Sequence, residues 1–228
     1  LALFHPILYF IGETIGVKLT TASESGTIIA IIPIATLILS ALILKEKPGK
    51  FQVAGIIITF IGGFVIVLLQ GVNLSLNIVG YIMLFIAVFA YSLFSIFNNR
   101  ETSYTNEEKT YVMLFSAMTF FTIAAGIDNL IRGTISDYFS LPFENRDFLV
   151  AILYLGIASS VIAFWLNNIS ITTISSNANS SLAGITTVVT VSSSVLILHE
   201  TFTSWQFIGM VLILCGVYIA NFEKIRDE

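Results

Sequence analysis

The sequence predicts an all-α membrane protein, a multi-helix bundle with inverted repeats. Three observations carry that prediction. Hydrophobic residues make up 56% of the 228 and charged residues only 11%, with a mean hydropathy of +0.94. A soluble domain carries about 25% charged residues, so this chain has too few to coat a water-facing surface. The apolar residues also fall into runs near the roughly 20 residues that a helix needs to cross the hydrocarbon core. Finally, a small polar motif occurs twice: "KEKPGKFQVAG", Lys45 to Gly55, returns as "HETFTSWQFIG", His199 to Gly209.

Eight runs qualify as transmembrane helices: 1–19, 22–44, 51–69, 77–97, 110–131, 148–170, 176–198 and 204–222. The first is not a signal peptide by pattern. It has no basic flank, contains Glu13 and leads directly into a second span. The 132–147 stretch, "RGTISDYFSLPFENRD", alternates acids and bases and reads as a solvated surface connection. The single cysteine, Cys215, allows no intrachain disulfide. No basic tract points to nucleic acid, and no phosphate loop, zinc spacing or nucleophile elbow points to a metal, a cofactor or an enzyme.

The two motifs belong to a longer match at a constant offset of 154, through Ser40/Ser194, Leu42/Leu196, Ile43/Ile197, Leu44/Leu198, Glu46/Glu200, Gln52/Gln206, Gly55/Gly209 and Gly62/Gly216. Leu and Ile matches come cheaply in so apolar a chain. Glu, Gln and two Gly matches without a gap do not, and the match reads as an internal duplication. Span 22–44 corresponds to span 176–198, five spans later. An odd step reverses direction, so the copies are expected to have opposite topology, as in secondary transporters. Spans 77–97 and 110–131 then expect counterparts before Leu1, giving ten helices in a longer parent.

Basic residues set the orientation. Placing the 45–50 loop in the cytoplasm puts Lys45, Lys47, Lys50, Arg100, Lys109, Lys224 and Arg226 inside, and Lys18, Arg132 and Arg146 outside. Cytoplasmic loops carry the excess of Lys and Arg. Each repeated motif is then a short turn between antiparallel helices, one at each membrane face. Gly55 and Gly62, like Gly209 and Gly216, are seven apart and fall roughly on one helix face, where small residues let helices approach closely. Glu46, Gln52, Gly55, Glu200, Gln206 and Gly209 are therefore expected to be structural, with gating or proton coupling as the other reading of the two glutamates.

The segment "IIAIIPIATLILSALILKEKPGKFQVAGIIITFIGGFVIVLL" and its second copy "SLAGITTVVTVSSSVLILHETFTSWQFIGMVLILCGVYIANF" resemble the EamA family of the drug/metabolite transporter superfamily. The resemblance implies ten helices in two inverted repeats of five. Residues 1–69 would be helices three to five of the first repeat and 77–222 the whole second repeat. Pro33 matches the proline of the family's fourth helix, whereas the second copy has Thr187 there, which restricts the kink to one half. The resemblance further implies export or exchange of a small metabolite or drug-like molecule across the cytoplasmic membrane. Fold is specified far better than cargo.

Polar residues inside spans are the candidate substrate site, because an ionised group at mid-membrane costs about 2.5–3.5 kcal/mol and usually faces a cavity or partner. Glu13 leads. It shares a four-residue stripe with His5 and Tyr9, and its repeat counterpart is Asn167. Two such side chains converge where inverted-repeat carriers bind substrate. A shallow, interfacial Glu13 near Lys18 is the alternative. Trp165, Asn167, Asn168, Asn177 and Asn179 lie in an unusually polar stretch that either lines an aqueous path or packs helices. Glu24 fits a capping box with Thr21, or contacts substrate.

The partners expected are a small-molecule substrate, the lipid bilayer, and a coupling ion or proton, with a homo-oligomer compatible with all of these. A non-transporting membrane enzyme or receptor, or a channel, is the competing class. An enzyme needs a clustered constellation, and only scattered carboxylates appear. A receptor has no need of an inverted duplication.

Overall fold

A computed structural model describes residues 1–20, 22–45, 48–68, 77–198 and 204–226. All regular structure among them is helical. A π-helical segment, Leu3–Leu8, runs into α1 (Tyr9–Leu19). α2 (Ala22–Ile29), α3 (Ile32–Ile43), α4 (Lys50–Leu68), α5 (Ile78–Arg100), α6 (Asn106–Arg132) and α7 (Ile135–Glu144) follow. α8 (Arg146–Leu153) and α9 (Ala163–Ile174) join through a second π-helical segment, Tyr154–Ile162, and α10 (Ser176–Leu198) and α11 (Ser204–Arg226) end the chain.

Local chemistry sets several of these ends. The Asn77 side chain caps α5 by accepting from the Gly80 amide at 3.0 Å. α6 opens on a reciprocal capping box: Thr105 Oγ1 accepts from the Glu108 amide at 3.2 Å and Glu108 returns the bond to the Thr105 amide at 2.8 Å. It closes at Gly133, whose φ of 70° is the left-handed conformation glycine adopts without strain. Asn145 caps α8 at Phe148 in the same manner as Asn77.

Among the described residues, four helices are long and apolar enough to cross a membrane: Ile78–Arg100, Asn106–Arg132, Arg146–Ile174 and Ser204–Asn221. They coincide with four of the eight expected spans. Of the remaining four, two form as expected and two differ. Span 22–44 is two helices rather than one, broken at Ala30 and Ile31, because Pro33 has no N–H to give and its ring would strike the carbonyl a turn back. α10, which carries Thr187 at the position 154 residues after Pro33, is unbroken. The first span leaves helical geometry at His5 (φ −138°, ψ 121°), immediately before Pro6. α4 spans Lys50–Leu68 as expected. The 132–147 connection, expected to be a solvated surface segment, includes the short helix α7.

α5 lies at the centre, with 44% of its apolar window buried, while the window of Arg146–Ile174 is 0% buried and faces outward. Phe94 of α5 packs with Met113 of α6 and Ile171 of α9, and Val88 packs with Ile32 and Ala35 of α3. Ile66, Ile213 and Val217 form a third cluster between α4 and α11.

That last pair is the tightest contact. A Cβ built on Gly55 would stand 2.5 Å from the Gly216 carbonyl oxygen, and one on Gly62 would stand 2.7 Å from the Gly209 carbonyl oxygen. The reverse approaches hold too: Gly216 meets the Gly55 carbonyl at 2.7 Å and Gly209 the Gly62 carbonyl at 2.7 Å. Residue 55 opposes 216 and 62 opposes 209, so α4 and α11 run antiparallel. Moving by 154 converts one contact pair into the other. α1 and α5 meet similarly: a Cβ on Gly12 would be 2.5 Å from the Met83 carbonyl oxygen, and one on Gly16 2.5 Å from Leu84 Cγ.

Candidate functional site: a polar and aromatic cluster among α1, α5, α9 and α10

The close α1–α5 approach brings Tyr9 opposite Tyr91, one turn beyond Gly12. Their ring centroids are 5.7 Å apart. Tyr9 Oη donates to Glu13 Oε1 at 2.9 Å, an i to i+4 bond along the helix. Tyr91 Oη donates to Asn167 Oδ1 at 3.2 Å, and Asn179 Nδ2 donates to the same oxygen at 3.2 Å. Four helices thus contribute to one cluster, with Glu13 half-buried at one edge and Asn179 buried at the other. Glu13 and Asn167 are joined through the two tyrosines rather than directly.

His5 sits inside this cluster, only 5% exposed. Five aromatic rings surround it: Phe164 at 4.8 Å, Phe94 at 4.9 Å, Tyr9 at 5.2 Å, Tyr91 at 5.4 Å and Phe10 at 5.7 Å. Its Nδ1 is buried without a hydrogen-bond partner. Such an orphan is rare among buried polar atoms and asks for an explanation. Phe10 and Phe164 also form one wall of an adjoining apolar groove of about 720 Å³, which opens to the outside of the bundle and is lined across from them by Tyr111, Phe115 and Phe121 of α6.

The other candidate residues lie elsewhere. Asn168 is fully buried one position away, on a different face of α9. Asn98 Nδ2 donates to its Oδ1 at 2.8 Å, and its Nδ2 donates to Thr110 Oγ1 at 2.8 Å. That network ties α5, α6 and α9 together. Asn177 is committed to Ser40: Nδ2 donates to Oγ at 2.8 Å, tying α10 to α3. Trp165, 39% exposed, donates from Nε1 to Glu107 Oε1 at 3.0 Å, outside the cluster. Glu24 is buried and accepts a hydrogen bond from Tyr81 Oη; its expected capping partner, Thr21, lies outside the described residues. Glu46 and Glu200 also lie outside them, while Gln52 is half-buried and Gln206 buried.

Sequence reasoning missed the α5 side of the site. The signal was present: Tyr91, Ser92, Ser95, Asn98 and Asn99 recur at steps of three and four within an apolar helix, which is one polar stripe. At the end of that stripe, Lys109 Nζ donates to the Asn98 carbonyl at 3.1 Å and the Glu101 carbonyl at 2.5 Å, and Lys45, Asn99 and Arg100 line one recess. Three basic residues expected on one side of the membrane therefore do meet at one end. Beyond the span, Glu101 is held below the usual carboxylate range by the Ser103 amide, which donates to it at 2.8 Å.

A bundle of long apolar helices that encloses a polar and aromatic cluster defines a multi-pass integral membrane protein. The model of the EamA-like transporter family matches residues 1–68 and 78–222, and the chain belongs to that family. It is 30% identical to the uncharacterized transporter YcxC of Bacillus subtilis, over 97% of this chain and 71% of that protein. It is 24% identical to a probable amino-acid metabolite efflux pump of Escherichia coli, over 82% of this chain and 63% of that one. A solved crystal structure shares the fold with a TM-score of 0.70 at 19% identity, covering 97% of this chain and 73% of the other.

Proposed function

We propose that the protein is a secondary carrier that exports or exchanges a small metabolite or drug-like molecule across the cytoplasmic membrane by alternating access. Its two units, 1–69 and 77–222, are inverted repeats, and Glu13, Tyr9, Tyr91, Asn167, Asn179 and His5 form the substrate site between them. One observation carries the reading: the reciprocal contact of Gly55 with Gly216 and of Gly62 with Gly209. A pseudo-two-fold axis between α4 and α11 generates each pair from the other, as expected of inverted repeats meeting face to face. The site fits the same plan, since α1 and α9 are repeat counterparts and both supply polar side chains to it. The relatives named as a transporter and as an efflux pump agree with a transport role.

Counterflow of a radiolabelled substrate in proteoliposomes tests the activity. A carrier shows saturable, substrate-specific counterflow, and a channel shows none. Cysteines placed at Gly49 and Ser204 test the inversion, since a membrane-impermeant reagent should reach them from opposite sides of the membrane. Labelling of both from one side would remove the inverted repeat.

A further inference from the structure

We infer that the cargo is an amine: a molecule with a protonated amino group set against Glu13 and a flat apolar body held by the rings around His5 and the adjoining groove. This rests on the proposed site. The first argument is charge. Apart from Asp128, which is exposed and paired with Arg132, Glu13 is the one charged side chain among the described residues lying more than a turn inside a helical segment; Lys18, Lys50, Arg100, Lys109, Arg132 and Arg146 all stand within the first or last turn of theirs. The site therefore offers a carboxylate and no cation to match a carboxylate on the cargo. Burying an unpaired anion beside another anion is disfavoured by both desolvation and repulsion.

The second argument is hydrogen-bonding capacity. The Tyr9 and Tyr91 hydroxyl protons are already donated, to Glu13 and Asn167. Among the described residues, the second carboxylate oxygen of Glu13 and Oδ1 of Asn179 accept no hydrogen bond. Spare acceptors select a donor, and an ammonium brings three. The third argument is shape. Phe10 is one turn from Glu13 on α1, and with Phe164 it walls both the His5 cage and the open 720 Å³ groove beside it. A groove of that size suits a small ligand, and rings around a cation add attraction through their faces.

Three ligands with one ring system separate the charges: tryptamine, tryptophan and indole-3-propionate, titrated calorimetrically into the full-length protein in detergent. Tryptamine should bind at least about tenfold more tightly than tryptophan, with indole-3-propionate weaker still. Glu13→Gln should lower tryptamine affinity about tenfold or more, the worth of one charge-assisted hydrogen bond, while Glu13→Asp retains most of it. Indole-3-propionate binding as tightly as tryptamine, an unchanged tryptamine affinity in Glu13→Gln, or no binding of any of the three would overturn the amine assignment. The site reading fails separately: it falls if Tyr91→Phe and Asn167→Ala leave the affinity of every binding ligand unchanged. If those variants weaken a preferred carboxylate ligand, the site stands and only the amine is lost.

Discussion

The α4–α11 pair and the α1–α5 pair use the same device to different ends. In both, glycines bring antiparallel backbones almost into contact. Across α4–α11 the glycines come from both helices and the space between is filled by Ile66, Ile213 and Val217. Across α1–α5 the glycines occupy only the half toward Thr20 and Gly80, and beyond Gly12 the seam opens onto Tyr9, Tyr91 and His5. Close backbone approach is thus a seam where it continues along the whole contact. Where it stops, the larger side chains beyond it are held face to face, and a polar group can be placed there without loosening the pair.

Four tests break or sharpen that contrast. The largest effect is expected for Gly55→Leu or Gly62→Leu, whose added atoms would meet backbone rather than a flexible side chain. Folded yield, followed by size-exclusion chromatography in detergent, should collapse, because packing is what drives helix association in a membrane. A well-folded variant with selectively weakened binding would move those glycines from the seam into the site. Next comes Glu13→Gln, which should leave expression intact and lower transport by roughly tenfold or more, since a hydrogen bond to a charged group is worth about 1.5–3 kcal/mol. Wild-type transport in that variant would make Glu13 an interfacial residue.

Asn168→Ala should be milder and purely structural. It frees Asn98 and Thr110 from their shared partner, and hydrogen bonds between membrane helices are worth about 0.6–2 kcal/mol each. Thermal stability in detergent should fall while substrate affinity holds; a fall in affinity at unchanged stability would place Asn168 in the site. The smallest effect belongs to Gly126→Leu, since a Cβ there meets nothing within 4 Å. Folded yield and transport should both stay near wild type. Loss of folded protein there would mean that glycines in this bundle matter for something other than contact.

The legible part of the fold was the part with a period or a repeat. Run length and hydropathy located the long helices, and the offset of 154 picked out four glycines that meet in space. Pro33 announced a break, although the expected span was drawn through it. Within the 132–147 connection the helix α7 was not visible, because its charges mask a helical turn pattern that Pro142 also argues against. At the site, Tyr9 and Glu13 were visible as an i to i+4 pair and Asn167 through the repeat. Tyr91 was not, because a tyrosine in an apolar helix looks the same whether it faces lipid or a partner.

The sequence by itself determined the membrane solvent and the long helices, and it carries the match at an offset of 154. Burying apolar surface and satisfying backbone groups inside each segment are local demands, and composition with periodicity expresses them directly. Only the tertiary structure decided which polar residues share a site. Asn167 and Asn168 are neighbours of identical chemistry, yet a 100° step around α9 sends one to Tyr91 and the other to Asn98 and Thr110. Which face meets which helix depends on contacts far apart along the chain, such as Gly12 and Gly16 against α5, and no local pattern in α9 contains them.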